Sequence, residues 1–338
     1  MARRNARHAR HVHVPAGSTW GNNGTLPGNH THTLLGEQSI SIQTVYSNLV
    51  ASYSGASFFD GFDFFTGSDP TNGFVKYIDQ ATAQSQGMIS TSGSSVYFGV
   101  DNKNVAPNGR QSIRLESKQR FTRGLFILDA AHIPGDVCGS WPAFWTVGDN
   151  WPNQGEIDII EGVNLQTSNN VALHTSDGCT ITGTGASGTL GTTNCYVYAP
   201  GQSNNAGCGF RDNSNASYGD GFNANGGGVY AMEWTSDYIN VWWFPRSQIP
   251  ADVLGSNPNP SGWGTPSAAF QGNCNIDDHF TNHKVVFDIT FCGDWAGGVW
   301  GSSGCQSRAS SCNDFVANNP QAMTESNWQI NSLRVFSS

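Results

Sequence analysis

The stretch Trp151-Pro-Asn-Gln-Gly-Glu156-Ile-Asp158-Ile-Ile-Glu161-Gly162 sets acids between isoleucines, and its reading decides the fold. Side chains on a β-strand point to opposite faces in turn, so Glu156 and Asp158 share one face while Ile157 and Ile159 enter the core. Strict alternation would place Ile160 beside the acids and drive Glu161 inward. Burying an unpaired carboxylate costs several kcal/mol or forces its protonation. One extra residue, a β-bulge at Ile159-Ile160, returns Glu161 to the face of Glu156 and leaves both isoleucines buried. Three acids on one face repel one another, and stability alone does not call for such a row.

Glycosidic bond hydrolysis does call for it. One carboxylic acid protonates the leaving oxygen, and one carboxylate attacks the anomeric carbon or activates water; a separation of about 5–5.5 Å goes with retention. Asp158 between the two glutamates raises the pKa of at least one neighbour by like-charge repulsion. The competing reading is a calcium-binding or hydrogen-bonded acid cluster. Calcium usually draws its oxygens from a loop with Gly and Asn or Asp at alternate positions, whereas the flanking isoleucines favour a strand.

Aromatic residues surround the acids. Sugars present apolar C–H faces, and Trp141, Trp145 and Trp151 all precede Glu156 within a short span. In Trp141-Pro-Ala-Phe-Trp145, alternation sends one of Phe144 and Trp145 to the core and the other to the cleft. His174 follows in a strand run, placed to hydrogen-bond a sugar hydroxyl or a glutamate. Cys292-Gly-Asp294-Trp295 ends another run at a glycine, where chain can approach a ligand, and makes Trp295 a further platform. Trp242 and Trp243 alternate, so one of them belongs to the core.

Forty-one glycines and only 12% charged residues indicate many short strands joined by tight turns and few helices. Strand runs are expected at 95–103, 110–118, 124–132, 155–161, 171–174, 229–234, 238–244, 284–291 and 328–336, with a hairpin turn at Thr235-Ser-Asp237. Ser311 to Ala317 is the one short helix expected, capped by its serine. No linker, composition shift or repeat divides residues 41–338, which read as a single all-β domain of two packed antiparallel sheets with a concave face for an extended ligand. Residues 1–40 hold few large apolar side chains and read as a mobile head.

Four arginines lie in the first ten positions, and from Glu37 onward 12 basic residues face 25 acidic ones. That balance excludes a duplex-binding surface. Eight cysteines, with no CxxC and no zinc-type spacing, point to disulfides; spacing makes Cys305 with Cys312, or Cys195 with Cys208, the candidate local pairs and leaves the connectivity open. Asn23-Gly-Thr, Asn29-His-Thr and Asn215-Ala-Ser are glycosylation sequons, in keeping with a secreted glycoprotein. The basic start shows no signal peptide, which favours an altered or processed N-terminus, and no run is long enough to span a membrane.

With these residues in view, the chain resembles glycoside hydrolase family 16 and, within it, the fungal laminarinase-type endo-1,3(4)-β-glucanases. The resemblance rests on Gly155-Glu-Ile-Asp-Ile-Ile-Glu-Gly162, Trp141-Pro-Ala-Phe-Trp145, Asp149-Asn-Trp-Pro152, Leu173-His-Thr175, Phe222-Asn-Ala-Asn-Gly-Gly-Gly228, Phe291-Cys-Gly-Asp-Trp-Ala-Gly297 and Asp69-Pro-Thr with Gly73, Tyr77 and Asp79-Gln-Ala-Thr82. It covers about residues 57–336; the first ~56 match no known pattern. It implies a β-jelly roll with a long open cleft and a retaining mechanism on β-1,3 and mixed β-1,3/1,4 glucans such as laminarin and lichenan. Glu156 would be the nucleophile, Glu161 the acid/base and Asp158 the assisting acid. Trp141, Trp145, Trp151 and His174 match its cleft residues. The expected partner is a β-glucan, acted on by a monomer with no metal or organic cofactor. A cell-wall transglycosylase and a non-catalytic β-glucan-binding protein are the alternatives on the same scaffold.

Overall fold

The computed structural model describes residues 45–337. The head expected over residues 1–40, with its two sequons, lies outside them. Two eight-stranded antiparallel sheets face each other. From one edge, the first sheet runs Thr189–Leu190, Cys208–Arg211, Asn170–His174, Glu156–Glu161, Ser140–Val147, Lys284–Phe291, Arg114–Ser117 and Phe62–Phe64. The second runs Ala268–Phe270, Ile239–Pro245, Gly228–Trp234, Gly124–His132, Asn327–Ser337, Ser95–Gly99 and Ile89–Ser92, with Asn48–Tyr53 also pairing on Asn327–Ser337. This is the all-β sandwich of two antiparallel sheets that the strand runs predict, and the β-jelly roll that the resemblance implies.

The core lies between the sheets because every central strand turns alternate apolar residues inward. Ile157, Ile159 and Ile160 meet Phe144, Val285, Phe287 and Leu173 from their own sheet and Phe126, Leu128, Met232, Trp328 and Leu333 from the other. The outer face of the second sheet carries its own apolar layer, in which Leu125, Ile127, Val229, Ala231, Trp242 and Phe244 are roofed by Tyr46, Val253 and Trp263. The outer face of the first sheet is left to the acids.

Several local expectations are corrected. The run 110–118 divides, because Arg110–Ser112 pairs in parallel with Val75–Tyr77 while Arg114–Ser117 joins the first sheet. Besides the helix Cys312–Asn318, capped by Ser311, helices form at Gln80–Ser85, Gly219–Ala224 and Ile276–His279. In the first of these the Asp79 side chain accepts from the Thr82 N–H, a capping signal that the strand-rich composition hides. The hairpin at Thr235 holds, with Trp234 opposite Ile239 and the Thr235 N–H bonded to the Tyr238 carbonyl.

All eight cysteines are paired: Cys195 with Cys208, Cys179 with Cys274, Cys138 with Cys305 and Cys292 with Cys312. The local Cys195–Cys208 candidate is present, and Cys305–Cys312 is not. Cys305 and Cys312 instead tie the 293–318 segment to one end of the sheet, where Cys138 precedes Ser140 and Cys292 follows its register partner Phe291.

Candidate active site

The acid strand is launched from Gly155, whose φ of +76° and whose approach to His279 and Phe280 leave no room for a side chain: a Cβ there would lie 2.5 Å from the His279 carbonyl oxygen. Glu156 then pairs with His174 and Asp158 with Ala172, but the next register pair is Glu161 with Asn170. On the other side Asp158 pairs with Trp145 and Ile160 with Phe144. One residue is thus inserted between Asp158 and Glu161 relative to both neighbouring strands. The bulge buries Ile157, Ile159 and Ile160 and puts Glu156, Asp158 and Glu161 on one outward face.

A bulge leaves backbone groups without ladder partners, and here Asn169 supplies them. Its Oδ1 accepts from the Glu161 N–H at 2.9 Å and its Nδ2 donates to the Ile159 carbonyl at 2.8 Å. Asn169 is itself buried, and its own N–H donates to Ser217 Oγ at 3.0 Å. One side chain therefore holds the turn of backbone that aims Glu161.

The three carboxyls crowd a site largely withdrawn from solvent. Glu156 and Glu161 are part-exposed and Asp158 is buried. All three are pushed up to about 8: desolvation acts first on each, followed by repulsion from Asp158 for the two glutamates and from Asp288 for Asp158. Opposing this, His174 and then Arg114 favour ionised Glu156, while the Trp141 indole N–H, 2.8 Å from Glu161 Oε1, favours ionised Glu161. Carboxyls this close release their protons as a coupled set rather than one by one.

His174 meets Asp158 rather than a glutamate. Its Nε2 lies 3.1 Å from Asp158 Oδ2, in contact but out of line for a hydrogen bond, so that this buried oxygen keeps unspent acceptor capacity. The other ring nitrogen, Nδ1, lies 3.0 Å from Asn205 Oδ1 and fixes the ring. Beyond Trp145 the same face continues through Asp288 to Arg114, whose guanidinium is 3.7 Å from Asp288, is bonded to Glu116 and rests 5.1 Å from the Trp145 ring centroid.

Of the tryptophans expected at the cleft, Trp145 points outward while Phe144 fills the core. Trp141 stands edge-on to Trp295 with 5.6 Å between ring centroids, so these two make one aromatic corner at the Glu161 end. Trp151 is exposed on the turn before Glu156, at the opposite end of the acid strand. Asn169, Asn205, Arg114 and Asp288 escaped the sequence reading. Asn169 follows the acid strand in Ser168-Asn-Asn170, where a side chain bonded to backbone leaves no pattern; Arg114 and Asp288 come from strands remote in sequence. Glu156, Asp158 and His174 also bring three possible metal-ligand atoms within 4.8 Å of one another. That donor set overlaps the acid row and is not a separate place in the fold.

The family model described as "XgeA-like, catalytic GH16 domain" matches residues 62–336. Among curated proteins, a probable glycosidase of Schizosaccharomyces pombe is 52% identical over 293 residues, covering 86% of this chain and 69% of that protein. A probable endo-1,3(4)-β-glucanase of Aspergillus fumigatus is 48% identical over 298 residues, covering 85% of this chain and 45% of that protein. The chain thus spans about half the length of most of the curated glucanases it matches. Among solved structures, an elongating family 16 β-1,3-glucosyltransferase superposes with a TM-score of 0.81 at 46% identity, over 86% of this chain and 99% of that one. Laminarinase 16A of Phanerochaete chrysosporium, with β-glucans in its donor and acceptor sites, superposes at 0.82 and 39%, over 87% and 100%.

Proposed function

The chain belongs to glycoside hydrolase family 16, and from that premise we propose that it is a secreted, retaining endo-hydrolase of β-1,3 and mixed β-1,3/1,4 glucans. The observation that carries the reading is the one-residue bulge, which puts Glu161 on the face of Glu156 with Asp158 between them. In this reading Glu156 attacks the anomeric carbon as the glycosidic C–O bond breaks, and Glu161 gives its proton to the departing oxygen. Glu161 then takes a proton from water, whose oxygen displaces Glu156 and releases the sugar with its configuration kept.

Burial and then Asp158 push Glu156 and Glu161 up alike, to about 8, so the division of roles between them is taken from the family resemblance. Desolvation and Asp158 hold Glu161 protonated near neutral pH, as an acid requires. At Glu156 the rise is opposed by His174 and then Arg114; His174 acts on Glu161 as well, so Arg114 is the opposing charge particular to Glu156. Asp158, against His174, is placed to take up the proton imbalance as the two glutamates exchange roles. Trp141, Trp145, Trp151 and Trp295 give sugar faces to stack on. Four disulfides fit an oxidising compartment.

A second reading is favoured by one observation, the 46% identity to a protein described as an elongating β-1,3-glucosyltransferase. There a sugar hydroxyl, rather than water, takes the glycosyl group from Glu156. The test is a time course with laminarin, lichenan, curdlan and carboxymethyl-cellulose, with and without added oligosaccharide acceptor. Mixed-length oligosaccharides appearing early from the first two support the endo-hydrolase. Products longer than the donor when acceptor is present support transfer, and no products from any substrate would overturn both.

A further inference from the structure

The adjacent tryptophans on the strand Ile239–Pro245 have different fates. Trp242 points to the outer face, 4% exposed, and donates its N–H to the Gly264 carbonyl. Trp243 turns inward at the edge of the sandwich and stacks on Tyr230, at 6.5 Å between ring centroids and 28° between planes. It stays partly exposed, and the strand's apolar pattern does not use its open side. That side lines an open cavity of about 810 Å³ bounded by Ser187, Asp212, Asn213, Asn215 and Ser267. The cavity opens where Cys208–Arg211 leaves the first sheet, two strands removed from the acid strand.

Asn215 begins the third sequon, Asn215-Ala-Ser217, and is exposed on the Ser214–Ser217 turn. The turn is rigid: the Ser214 N–H donates to Asp212 Oδ1 at 2.7 Å, and the Ser217 N–H returns to the Ser214 carbonyl at 3.3 Å. Gly221 lets the following helix pass, since a Cβ there would lie 1.9 Å from the Asn215 carbonyl oxygen. Ser217 has a structural reason to be serine, because its Oγ supports Asn169 and through it the bulge. No such reason exists for asparagine at 215, whose side-chain amide makes no hydrogen bond among the described residues. Asn213, by contrast, bonds both Ser187 and Thr189 and closes the cavity wall.

We propose that Asn215 is a site of N-linked glycosylation and that the first N-acetylglucosamine of its glycan lies on the open side of Trp243. The bond that forms joins Asn215 Nδ2 to C1 of the sugar. The bond that breaks is C1–O of a lipid-pyrophosphate-linked oligosaccharide, and the amide proton leaves with the pyrophosphate. Because Ser217 is buried and bonded in the folded protein, the sugar is added before the Ser214–Ser217 turn closes. The cavity then receives a tethered sugar, whose C–H face meets the indole and whose hydroxyls face Asp212, Ser267 and Asn213. Tethering supplies a high effective concentration, so a single stack is enough to seat it.

The full chain is secreted from an N-glycosylating yeast with Asn23→Gln and Asn29→Gln, leaving Asn215 as the only sequon. The tryptic peptide 212–246 is mapped by mass spectrometry after trimming to one sugar. A retained N-acetylhexosamine on Asn215 is expected; an unmodified peptide from secreted, folded protein overturns the site. Seating is tested separately against Asn215→Gln, since Ser217→Ala would disturb the bulge. Losing the glycan is expected to lower Tm by roughly 1–3 °C and to red-shift tryptophan emission, with both differences much reduced in a Trp243→Leu background. Differences unchanged by Trp243→Leu, or none in the parent, overturn the seating; should the leucine variant not be secreted, the emission shift alone decides. Trp243-dependent fluorescence changes on adding laminari-oligosaccharides to unmodified protein would assign the cavity to substrate and overturn the proposal.

Discussion

Asp158 and Glu233 are both carboxylic acids on the outward side of a sheet, 3% and 4% exposed, and burial raises the pKa of each. Their surroundings differ. Glu233 accepts from Tyr46 at one oxygen and from Tyr238 at the other, both at 3.0 Å, within an apolar layer. Asp158 lies in a row with Glu156 and Glu161, meets Asp288 as a further repelling charge, and keeps one buried oxygen without a hydrogen bond. A raised pKa therefore does not mark a working acid. Crowding by like charges and unspent hydrogen-bonding capacity do, because only those groups can be rearranged by a substrate.

The largest expected effect separates the two regions outright. Glu156→Gln removes the nucleophile and should lower kcat on laminarin by roughly 10⁴-fold or more, with the folded near- and far-ultraviolet circular dichroism kept. Its stability should move the other way. Glu156 is raised from an ordinary 4.5 to about 8, so its favourable contribution to folding is complete below 4.5 and is lost as pH rises through about 8. A permanently neutral glutamine escapes that loss. The variant should therefore gain Tm over the parent between pH 5 and pH 8 (roughly the span of the titration), and a gap that shrinks with pH would break the comparison.

Glu161→Ala comes next. Removing a general acid costs roughly 10²–10⁴-fold on unactivated glucan, whose leaving oxygen needs a proton. An aryl glycoside with a good leaving group needs none, so added azide should restore turnover on it and yield a β-glycosyl azide. Azide without effect would detach Glu161 from the acid role.

Asn169→Ala sharpens the contrast in a different way. The side chain touches no reacting atom, yet it bonds both backbone groups of the bulge, so it is a positioning residue for Glu161. A displacement of about 1 Å at the acid costs on the order of 10²-fold. The loss should fall mainly on kcat and shrink as the leaving group improves, since a misaimed acid matters least where little proton transfer is needed. A uniform loss across leaving groups would reduce Asn169 to a fold-stabilising role.

What could be read from sequence follows from the range of each interaction. The acid row was legible because strand periodicity and the cost of an interior carboxylate leave one arrangement for Glu156-Ile-Asp-Ile-Ile-Glu161. Trp141, Trp145 and Trp151 were legible by proximity, and Cys195–Cys208 by a separation of 13. Cys138–Cys305 and Cys179–Cys274, 167 and 95 residues apart, depend on the order of strands, which no local spacing encodes. The same holds for Arg114 and Asp288, brought to the acid face from separate strands. Asn169 stayed hidden for another reason: it bonds to the backbone of a bulge, and backbone is the same at every residue.

The smallest effect is expected at Glu233. Glu233→Gln keeps the shape of the side chain, offers one carbonyl oxygen to one tyrosine and an amide donor to the other, and should lie within about 1 kcal/mol of the parent at low pH, where the parent's acid is neutral too. Because the folded protein raises the pKa of Glu233, its contribution is complete below the ordinary glutamate value and fades as pH climbs through the folded one. The glutamine variant should thus become relatively more stable with rising pH, as Glu156→Gln does. Activity tells them apart: kcat and KM on laminarin should stay at parental values, since the two buried acids lie on opposite sides of the core. A loss of kcat in Glu233→Gln with Tm preserved would mean that the outer layer is coupled to the cleft through the sandwich.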